Sequence, residues 1–383
     1  MKLIIHYSII IPTHKENKSF YNCLHAILSQ DYPRAHYEVI ISANQIAPKF
    51  KEKLKQFKEV LVIEANHLKS ASHARNQGAK AAKGEFLIFI DSDVVIDHNW
   101  ISTIHFEIKN NPFIQVATST IKPNYGTSLL SRYRLERFKK KTEEDGTPRV
   151  GDNVQLFLNT AALVIRKKIF SALLFKEDLK RHEDTLLSAQ ISHSYLPTYA
   201  TSKTKAIVFF DGNLIDYLIR NFKNGLFFFK LMQLLPTKYV PRTFLKSSQV
   251  KQLNDFRNSG WELYFFHIIN NFAYQIGFTI GNIFGKKIKI EYKVYKHKFQ
   301  SKIIIRTNLK KRFRISKNVL IYIKDDKEVW MLKHKERIVF IEKDNQLSLT
   351  QLSSSCTSFP IEEKEVFNIL VKEEMLIPVS DKE

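Results

Sequence analysis

Residues 85–97 read EFLIFIDSDVVID, an apolar run that ends in two carboxylates separated by one residue. The run 86–90 follows a glycine and predicts a strand buried on both faces, as in parallel sheets that helices cover. Ligands of such sheets bind at the carboxyl ends of the strands, which is where Asp91 and Asp93 fall. Because hard oxygen ligands suit Mg2+ or Mn2+, the pair predicts a metal site at the end of this strand.

Strand-like and helix-like segments alternate on both sides of this stretch. Strands are predicted at 7–11, 37–42, 60–63 and 114–119, and helices at 19–29, 49–57, 72–82 and 99–110. Such an alternation is typical of a doubly wound α/β domain with right-handed crossovers. We therefore predict a domain of this kind, with the acidic pair near the middle of its sheet.

The composition limits the class of protein. The chain has 383 residues, enough for one large domain with a smaller one, or for about two to three domains. Its two cysteines, Cys23 and Cys356, are far apart and lack metal-ligand spacing, which fits a reducing compartment. The first residues lack the features of a secretory signal, so we expect them to lead into the first strand. The formal net charge of +22 implies an anionic partner: a membrane surface, nucleic acid or phosphorylated substrates.

Two later segments depart from the alternation. Residues 122–152 carry a basic run followed by acidic residues, and we predict a solvated, partly mobile loop there, with an acceptor lid as the alternative. The stretch 261–284 has apolar residues at helical spacing but is too polar for a transmembrane helix of about 20 apolar residues. We predict amphipathic helices over 216–296, either lying in a membrane interface beside lysines 286, 287 and 289 or packed onto the first domain.

The last part of the chain is predicted to consist mainly of short strands. Short strands are predicted at 302–306, 319–324, 329–333 and 338–342, and a helix at 361–372. These elements predict a small separate α+β domain over 297–383.

Five motifs of the first half together resemble the family 2 glycosyltransferases, inverting enzymes of the GT-A fold. They are SIIIPT at 8–13, SHARNQGA at 72–79, DSD at 91–93, NTAALVIR at 159–166 and HED at 182–184. The resemblance covers about residues 6–212, and it implies a GT-A catalytic domain over 1–215, a Rossmann-like, doubly wound mixed sheet. Residues 217–230 resemble the basic, aromatic helix that follows this domain in membrane-associated members.

The resemblance implies a nucleotide-sugar site. Pro12, Thr13 and Glu16 would lie at the nucleoside, and Arg75 and Asn76 would face the diphosphate from a helix N-terminus. By the same resemblance, Asp93 ligates the metal and Asp91 holds the ribose or a metal-bound water, with Ser92 between them.

One position departs from the family pattern. Many relatives carry an acidic residue that contacts the base after the second strand, and this chain has Asn44 there. Asn44 can still donate and accept hydrogen bonds, so it stays among the donor-binding candidates while the nucleobase stays open.

The acceptor side is implied by the two remaining motifs. In the family, the Asp of the Glu-Asp pair is the catalytic base, which assigns that role to Asp184. Glu183, Asn159 and Thr160 would then lie beside the acceptor. The alternative for the acidic pair is a simple helix cap that interacts with the helix dipole.

The resemblance thus implies a metal-dependent inverting glycosyltransferase that uses Mn2+ or Mg2+ and a nucleotide sugar, with a uridine diphosphate donor favoured. We expect a glycan, lipid-linked or peptide acceptor, an anionic membrane surface as a further partner, no nucleic acid, and a cytoplasmic, peripheral location on the inner face of the cell membrane. One alternative is a phosphatase or phosphotransferase of the haloacid dehalogenase type that uses Asp91 and Asp93, although such a pair normally ends the first strand. Nucleotidyl transfer is disfavoured because residues 12–18 contain no glycine. A non-catalytic basic module that binds membrane or nucleic acid would explain the charge alone.

Overall fold

The computed structural model describes most of the first 285 residues and short strands beyond them. The described ranges are 5–43, 46–64, 70–110, 114–139, 158, 160–194, 196, 198–210, 212–235, 260–285, 293, 304–306, 312–315, 320–324, 327–334, 337–342 and 376–378.

One mixed sheet of eight strands forms the centre of the molecule. Its strands are β1 (Tyr7–Thr13), β2 (Tyr37–Ala43), β3 (Val60–Glu64), β4 (Phe86–Ile90), β5 (Val94–Ile96), β6 (Val116–Pro123), β7 (Ala162–Arg166) and β8 (Thr198–Val208), in the order β3-β2-β1-β4-β7-β6-β8-β5. The first four strands of that order run parallel, whereas β7 lies antiparallel to both β4 and β6. The predicted α/β class with a mixed sheet is confirmed.

Helices cover both faces of this sheet because its central strands are apolar on both. Ile9 and Ile11 of β1 point into one core with Phe20, while Ile10 points into the other core with Phe170. Consecutive strand residues face opposite sides, so an uninterrupted apolar run can be buried only between two layers. The helices are α1 (Lys18–Leu28), α2 (Pro48–Lys55), α3 (Ala71–Ala81), α4 (Trp100–Asn110), α5 (Leu129–Lys139), α6 (Lys167–Leu173) and α7 (Glu183–His193).

The loop predicted for residues 122–152 is wrong over part of its length, because α5 lies within it. The charged surface of this segment hides an apolar face, on which Leu130 and Tyr133 are buried against Leu263 and Phe266. Those partners lie far along the chain, so the helix is stabilised by tertiary packing that local composition does not show.

A helical hairpin follows the sheet. It consists of α8 (Leu214–Leu234) and α9 (Trp261–Phe284), and the first turn of α8 is closed by a capping box between Asn213 and Asp216. The predicted boundary after residue 215 therefore falls inside the first turn of α8. Within the described ranges, no helix combines the length and apolarity needed to cross a bilayer.

The two helices of the hairpin meet at glycines. A Cβ on Gly225 of α8 would lie 2.0 Å from the carbonyl oxygen of Tyr274, and one on Gly277 of α9 would lie 2.1 Å from that of Phe222. Since no side chain can occupy such a position, glycine is required for the two backbones to approach this closely.

Beyond residue 300 the described residues form two antiparallel three-stranded sheets. The first has the order β14 (Leu376–Pro378), β10 (Arg312–Ile315), β9 (Ile304–Arg306), and the second β11 (Leu320–Lys324), β12 (Lys327–His334), β13 (Arg337–Glu342). The helix predicted at 361–372 lies outside the described residues.

The glycine contact gives a stability prediction. In a helix free of neighbours, Gly225→Ala stabilises by about 0.5–1 kcal/mol. Here we expect the reverse sign, a loss of about 1–3 kcal/mol in unfolding free energy, because the new methyl group forces the helices apart. Urea denaturation followed by circular dichroism measures it, with Lys223→Ala on the exposed side of α8 as the control. An equal or higher stability for Gly225→Ala would contradict the close contact.

Candidate active site

A cleft of about 590 Å3 opens where β1 and β4 end. The side chains and backbone that line it come from the end of β1, the start of α3, the turn after β4 and the start of α8: Pro12, Thr13, His14, Lys15, Asn17, Ala71, Ala74, Arg75, Asp91, Ser92, Asp93, Phe210, Gly212, Asp216 and Arg220. Six residues predicted as donor-binding are therefore together in one cleft: Pro12, Thr13, Arg75, Asp91, Ser92 and Asp93.

The two aspartates of the turn after β4 have different environments. Asp91 Oδ1 accepts a hydrogen bond from Arg75 Nη2 at 2.6 Å. Burial, with the neighbouring charge of Asp91 added, raises the pKa of Asp93 to about 6. The Asp93 carbonyl oxygen accepts from the Phe209 amide at 2.8 Å, which fixes the turn against the end of β8. Asp91 is thus held by an arginine, and Asp93 is the carboxylate that a cation would stabilise most.

Arg75 connects this turn to the first turn of α7. It lies on α3, whose N-cap Ser70 accepts from the amide of His73, and only 4% of its surface is exposed. One guanidinium nitrogen donates to Asp91, and the other, Nη1, donates to Glu183 Oε1 at 3.1 Å. A buried guanidinium needs such partners because an unpaired buried charge is costly. The ion pairs therefore hold Asp91 and Glu183 at one guanidinium group.

Asp184 follows directly, in the first turn of α7. Its Oδ1 accepts from the amide of Thr185 at 2.7 Å and from that residue's hydroxyl at 3.3 Å. Burial raises the pKa of the adjacent Glu183, although the charge of Arg75 opposes the shift. The Glu-Asp pair is thus divided, with Glu183 in a buried ion pair and Asp184 partly exposed at the helix start.

The loop before α7 is held by α8. His182 has a left-handed backbone conformation, with φ of 65°, and its Nε2 contacts the carbonyl oxygen of Asn224 at 2.8 Å. Arg181 Nη1 donates to Oδ1 of the same asparagine at 3.0 Å. The backbone carbonyl oxygen of Asn224 can only accept a hydrogen bond, so its contact with His182 requires the tautomer that carries a proton on Nε2. Asn224 therefore fixes both residues that precede the Glu-Asp pair.

Arg220 lies one helical turn before Asn224 and was not assigned to the site from the sequence. Its guanidinium carbon is 5.6 Å from the centre of the Phe210 ring, at the cleft. Burial, and then the charge of Arg220, lowers the pKa of both Arg134 and Arg181. The guanidinium carbon of Arg134 lies 5.3 Å from the centre of the same Phe210 ring, so Arg134 and Arg220 come together from distant segments. Their separation in the chain leaves no local pattern by which the sequence could reveal them.

Other predicted residues take different positions. The Asn76 amide donates to Glu177 Oε1 and to the Phe175 carbonyl, both at 2.9 Å, and accepts from the Phe175 amide at 3.1 Å. Its side chain thus holds the loop after α6. The expected contact of Asn76 with a diphosphate stays a prediction. Glu16 accepts from Lys53 at 2.5 Å and from Tyr21 at 2.9 Å, beside the cleft residues 15 and 17.

The acceptor-side candidates are described only in part. Thr160 is buried in the turn that leads into β7. Two residues earlier, the Leu158 amide donates to Ser188 Oγ at 3.1 Å, and that hydroxyl donates to the Asp184 carbonyl at 2.8 Å. This segment therefore lies against α7. Asn159 and Asn44 are outside the described residues.

The donor set suits a hard divalent cation. Asp93 and Asp91 provide carboxylate oxygens, and the described ranges contain no group of three or more His, Cys, Asp or Glu side chains placed to bind a metal. One or two carboxylates completed by substrate phosphates and water is the usual arrangement for Mg2+, and Mn2+ prefers the same ligands. The residues present fit that mode.

Comparison with known proteins agrees with the motifs and the sheet. Residues 8–174 match the family described as Glycosyl transferase family 2. Residues 8–174 are therefore similar in sequence to a family 2 glycosyltransferase domain. The phosphatase alternative gains no support, since Asp91 is tied to Arg75 and β4 follows three other strands.

Two named proteins are similar to part of this chain. Glycosyltransferase AglE of Haloferax volcanii is 33% identical over 100 residues, which are 24% of this chain and 32% of that protein. The poly(ribitol-phosphate) beta-N-acetylglucosaminyltransferase TarS of Staphylococcus aureus is 27% identical over 95 residues, 24% of this chain and 17% of TarS. The matched region thus spans a third or less of either relative.

A solved structure has a fold similar to that of this chain. It is a mannosyltransferase from Pyrobaculum calidifontis, determined in complex with GDP-Man and Mn2+. The two structures superpose with a TM-score of 0.51 at 14% sequence identity, over 74% of this chain and 88% of the mannosyltransferase.

The Asn224 contacts give a prediction that does not depend on activity. Asn224→Leu removes the acceptor for Arg181, and we expect amides of residues 183–188 to exchange about tenfold faster, since a hydrogen bond to a charged group contributes about 1.5–3 kcal/mol. Hydrogen exchange with mass spectrometry measures this. Asn224→Asp keeps an acceptor and serves as the matched control, and equal exchange in both variants would show that Asn224 does not hold the loop.

Proposed function

We propose that the protein is an inverting glycosyltransferase that moves a sugar from a nucleotide-sugar donor to an acceptor hydroxyl, in the synthesis of a glycan or glycoconjugate. A uridine diphosphate sugar is the donor that we place first. The observation that carries the proposal is the double ion pair of Arg75, which joins the acidic turn after β4 to the Glu-Asp pair of α7. The acidic turn, which lines the cleft, and the Glu-Asp pair, which follows on from Arg75 outside the lining, are thereby held close to each other.

The cleft has features that suit a nucleoside diphosphate. Pro12 and Thr13 end β1 at one wall, where we place the nucleoside. Arg220 and the start of α3 lie at the other wall, and we place the diphosphate between them. Nε of Arg75 is buried without an acceptor among the described residues, so one donor remains for a phosphate oxygen.

Metal dependence belongs to the same proposal. Mn2+ or Mg2+ held by Asp93 and Asp91 would neutralise the charge that develops on the leaving diphosphate. The raised pKa of Asp93 supports this assignment, because a buried carboxylate is stabilised by a cation.

Asp184 is the proposed general base. It takes the proton of the acceptor hydroxyl while that oxygen attacks the anomeric carbon from the face opposite the leaving group. The new carbon–oxygen bond forms as the bond to the diphosphate breaks, and the nucleoside diphosphate leaves with the electron pair. The hydrogen bonds from Thr185 support the role by orienting the carboxylate.

A donor screen with one substitution tests the proposal. We expect native mass spectrometry with Mn2+ to detect binding of a nucleotide sugar, with UDP sugars tried first and GDP sugars next. Asp184→Asn should bind that donor within about twofold of the original affinity, while its turnover falls by at least about 100-fold, as expected for loss of a general base. Asp178→Asn, an exposed carboxylate in the preceding loop, is the matched control. Unchanged turnover for Asp184→Asn would reject the assignment of the base.

We further propose that the hairpin attaches the enzyme to an anionic membrane surface. One face of α9 is packed against α8 and α5, yet the other also carries large apolar side chains, with 77% of Trp261 and 66% of Phe272 exposed. The exposed members recur at helical spacing: Trp261, Phe265, Ile268, Phe272, Ile276, Ile280 and Ile283. Such a continuous face is typical of helices that lie in a membrane interface, and the net charge of +22 suits anionic lipid.

This attachment predicts salt-sensitive binding to liposomes. We expect the protein to sediment with vesicles that contain anionic lipid, and to bind them less as salt is raised and charges are screened. Phe272→Gln should weaken the binding, because it removes an apolar side chain from the interface. Phe106→Gln, at an exposed aromatic residue of α4, is the control. Equal binding to neutral vesicles at high salt would contradict the electrostatic part.

A further inference from the structure

A second cavity of about 490 Å3 lies beside the donor cleft. It is formed where α5 and α8 begin, and its lining is mainly apolar: Ser128, Leu129, Leu130, Gly212, Asn213, Leu214 and Ile215. Gly212 also lines the donor cleft, so the two spaces adjoin at a residue without a side chain. A Cβ there would lie 2.6 Å from the Phe210 ring, so a larger residue at position 212 would displace that ring.

The apolar side chains of this cavity are only partly covered. Ile215 is 66% exposed, and Ile219, one turn later on the same face of α8, is 46% exposed. Leu129 and Leu214 are half-buried. Burial of such side chains is favourable by about 1.5–3 kcal/mol each, so the cavity suits an apolar ligand.

The cavity lies close to the contact between α5 and the start of α9. Leu130, which lines it, packs with Leu263 near the start of α9. Arg132 and Glu262 form an ion pair at 3.2 Å across the same junction. The junction of α5 with the start of α9 therefore lies near the cavity, and the exposed apolar face of α9 begins at this junction with Trp261. On its other side, the cavity adjoins the donor cleft at Gly212.

We propose that this cavity binds the hydrocarbon chain of a lipid-linked acceptor, whose head group crosses Gly212 into the donor cleft. The inference rests on the proposed glycosyl transfer and names its acceptor class. A polymeric glycan would need hydrogen-bonding partners for its hydroxyl groups, which the leucine and isoleucine side chains do not offer.

A photoreactive analogue of farnesyl phosphate, with a diazirine on its hydrocarbon chain, tests the proposal. The full-length protein is labelled without membranes, below the concentration at which the probe forms micelles, and the sites are mapped by mass spectrometry. We expect label at residues 128–130 and 212–215, and competition by unlabelled farnesyl phosphate. Label confined to α9 would overturn the proposal, because the chain would then bind the membrane face alone.

Substitutions separate the cavity from the membrane face. Leu214→Gln and Ile215→Gln should each raise the half-saturating probe concentration about tenfold, from the loss of apolar contact. Ile215 is largely exposed, so that variant keeps the core intact. Phe272→Gln on α9 is the control and should leave labelling of the cavity unchanged. If both cavity variants labelled as strongly as the unsubstituted protein, the assignment would be rejected.

The outcome can be told apart from failure of the proposed function. Donor binding is measured in the same samples by native mass spectrometry. Donor binding without label in the cavity overturns the lipid acceptor, indicates a polymer or other polar acceptor, and leaves glycosyl transfer standing. Label in the cavity of a protein that binds no nucleotide sugar overturns glycosyl transfer and, with it, the acceptor assignment.

Discussion

The buried guanidinium of Arg75 is the interaction on which the site depends. Asp91 comes from the end of β4 and Glu183 from the start of α7, and one side chain neutralises both. Removal of Arg75 would leave two carboxylates close together in a poorly hydrated space, which is among the costliest changes a protein interior can undergo. The relative position of the acidic turn and of Asp184 is therefore set by electrostatics as well as by packing.

The helix α8 is the second support of the same arrangement. Arg220 and Asn224 are four residues apart, so they lie on one face of the helix, and they reach the donor cleft and the loop before α7 respectively. A helix that follows the eight-stranded sheet in the chain thus contributes a side chain to the cleft. The functional unit extends beyond the matched family segment, which ends at residue 174.

Local patterns predicted the sheet and its acidic turn, because each depends on neighbouring residues. The apolar run 86–90 and the alternating segments around it can be recognised from the spacing of apolar residues and from a glycine at the boundary. Long-range partners were not predictable. Asn76 has the residue type of a ligand-binding amide but bonds to Glu177, and α5 is a helix because its apolar face meets α9. Local sequence patterns do not show which distant segments come into contact in the fold.

The glycine contact between α8 and α9 has a mechanical consequence. Backbone touches backbone at Gly225 and Gly277, so no side chain separates the helices at this crossing. A tilt of α9 would therefore be passed to α8 through the backbone contact. Binding of the exposed face of α9 to a membrane would then move α8, and with it Arg220 at the cleft and Asn224 at the loop before α7. Membrane attachment and sugar transfer would therefore be mechanically coupled.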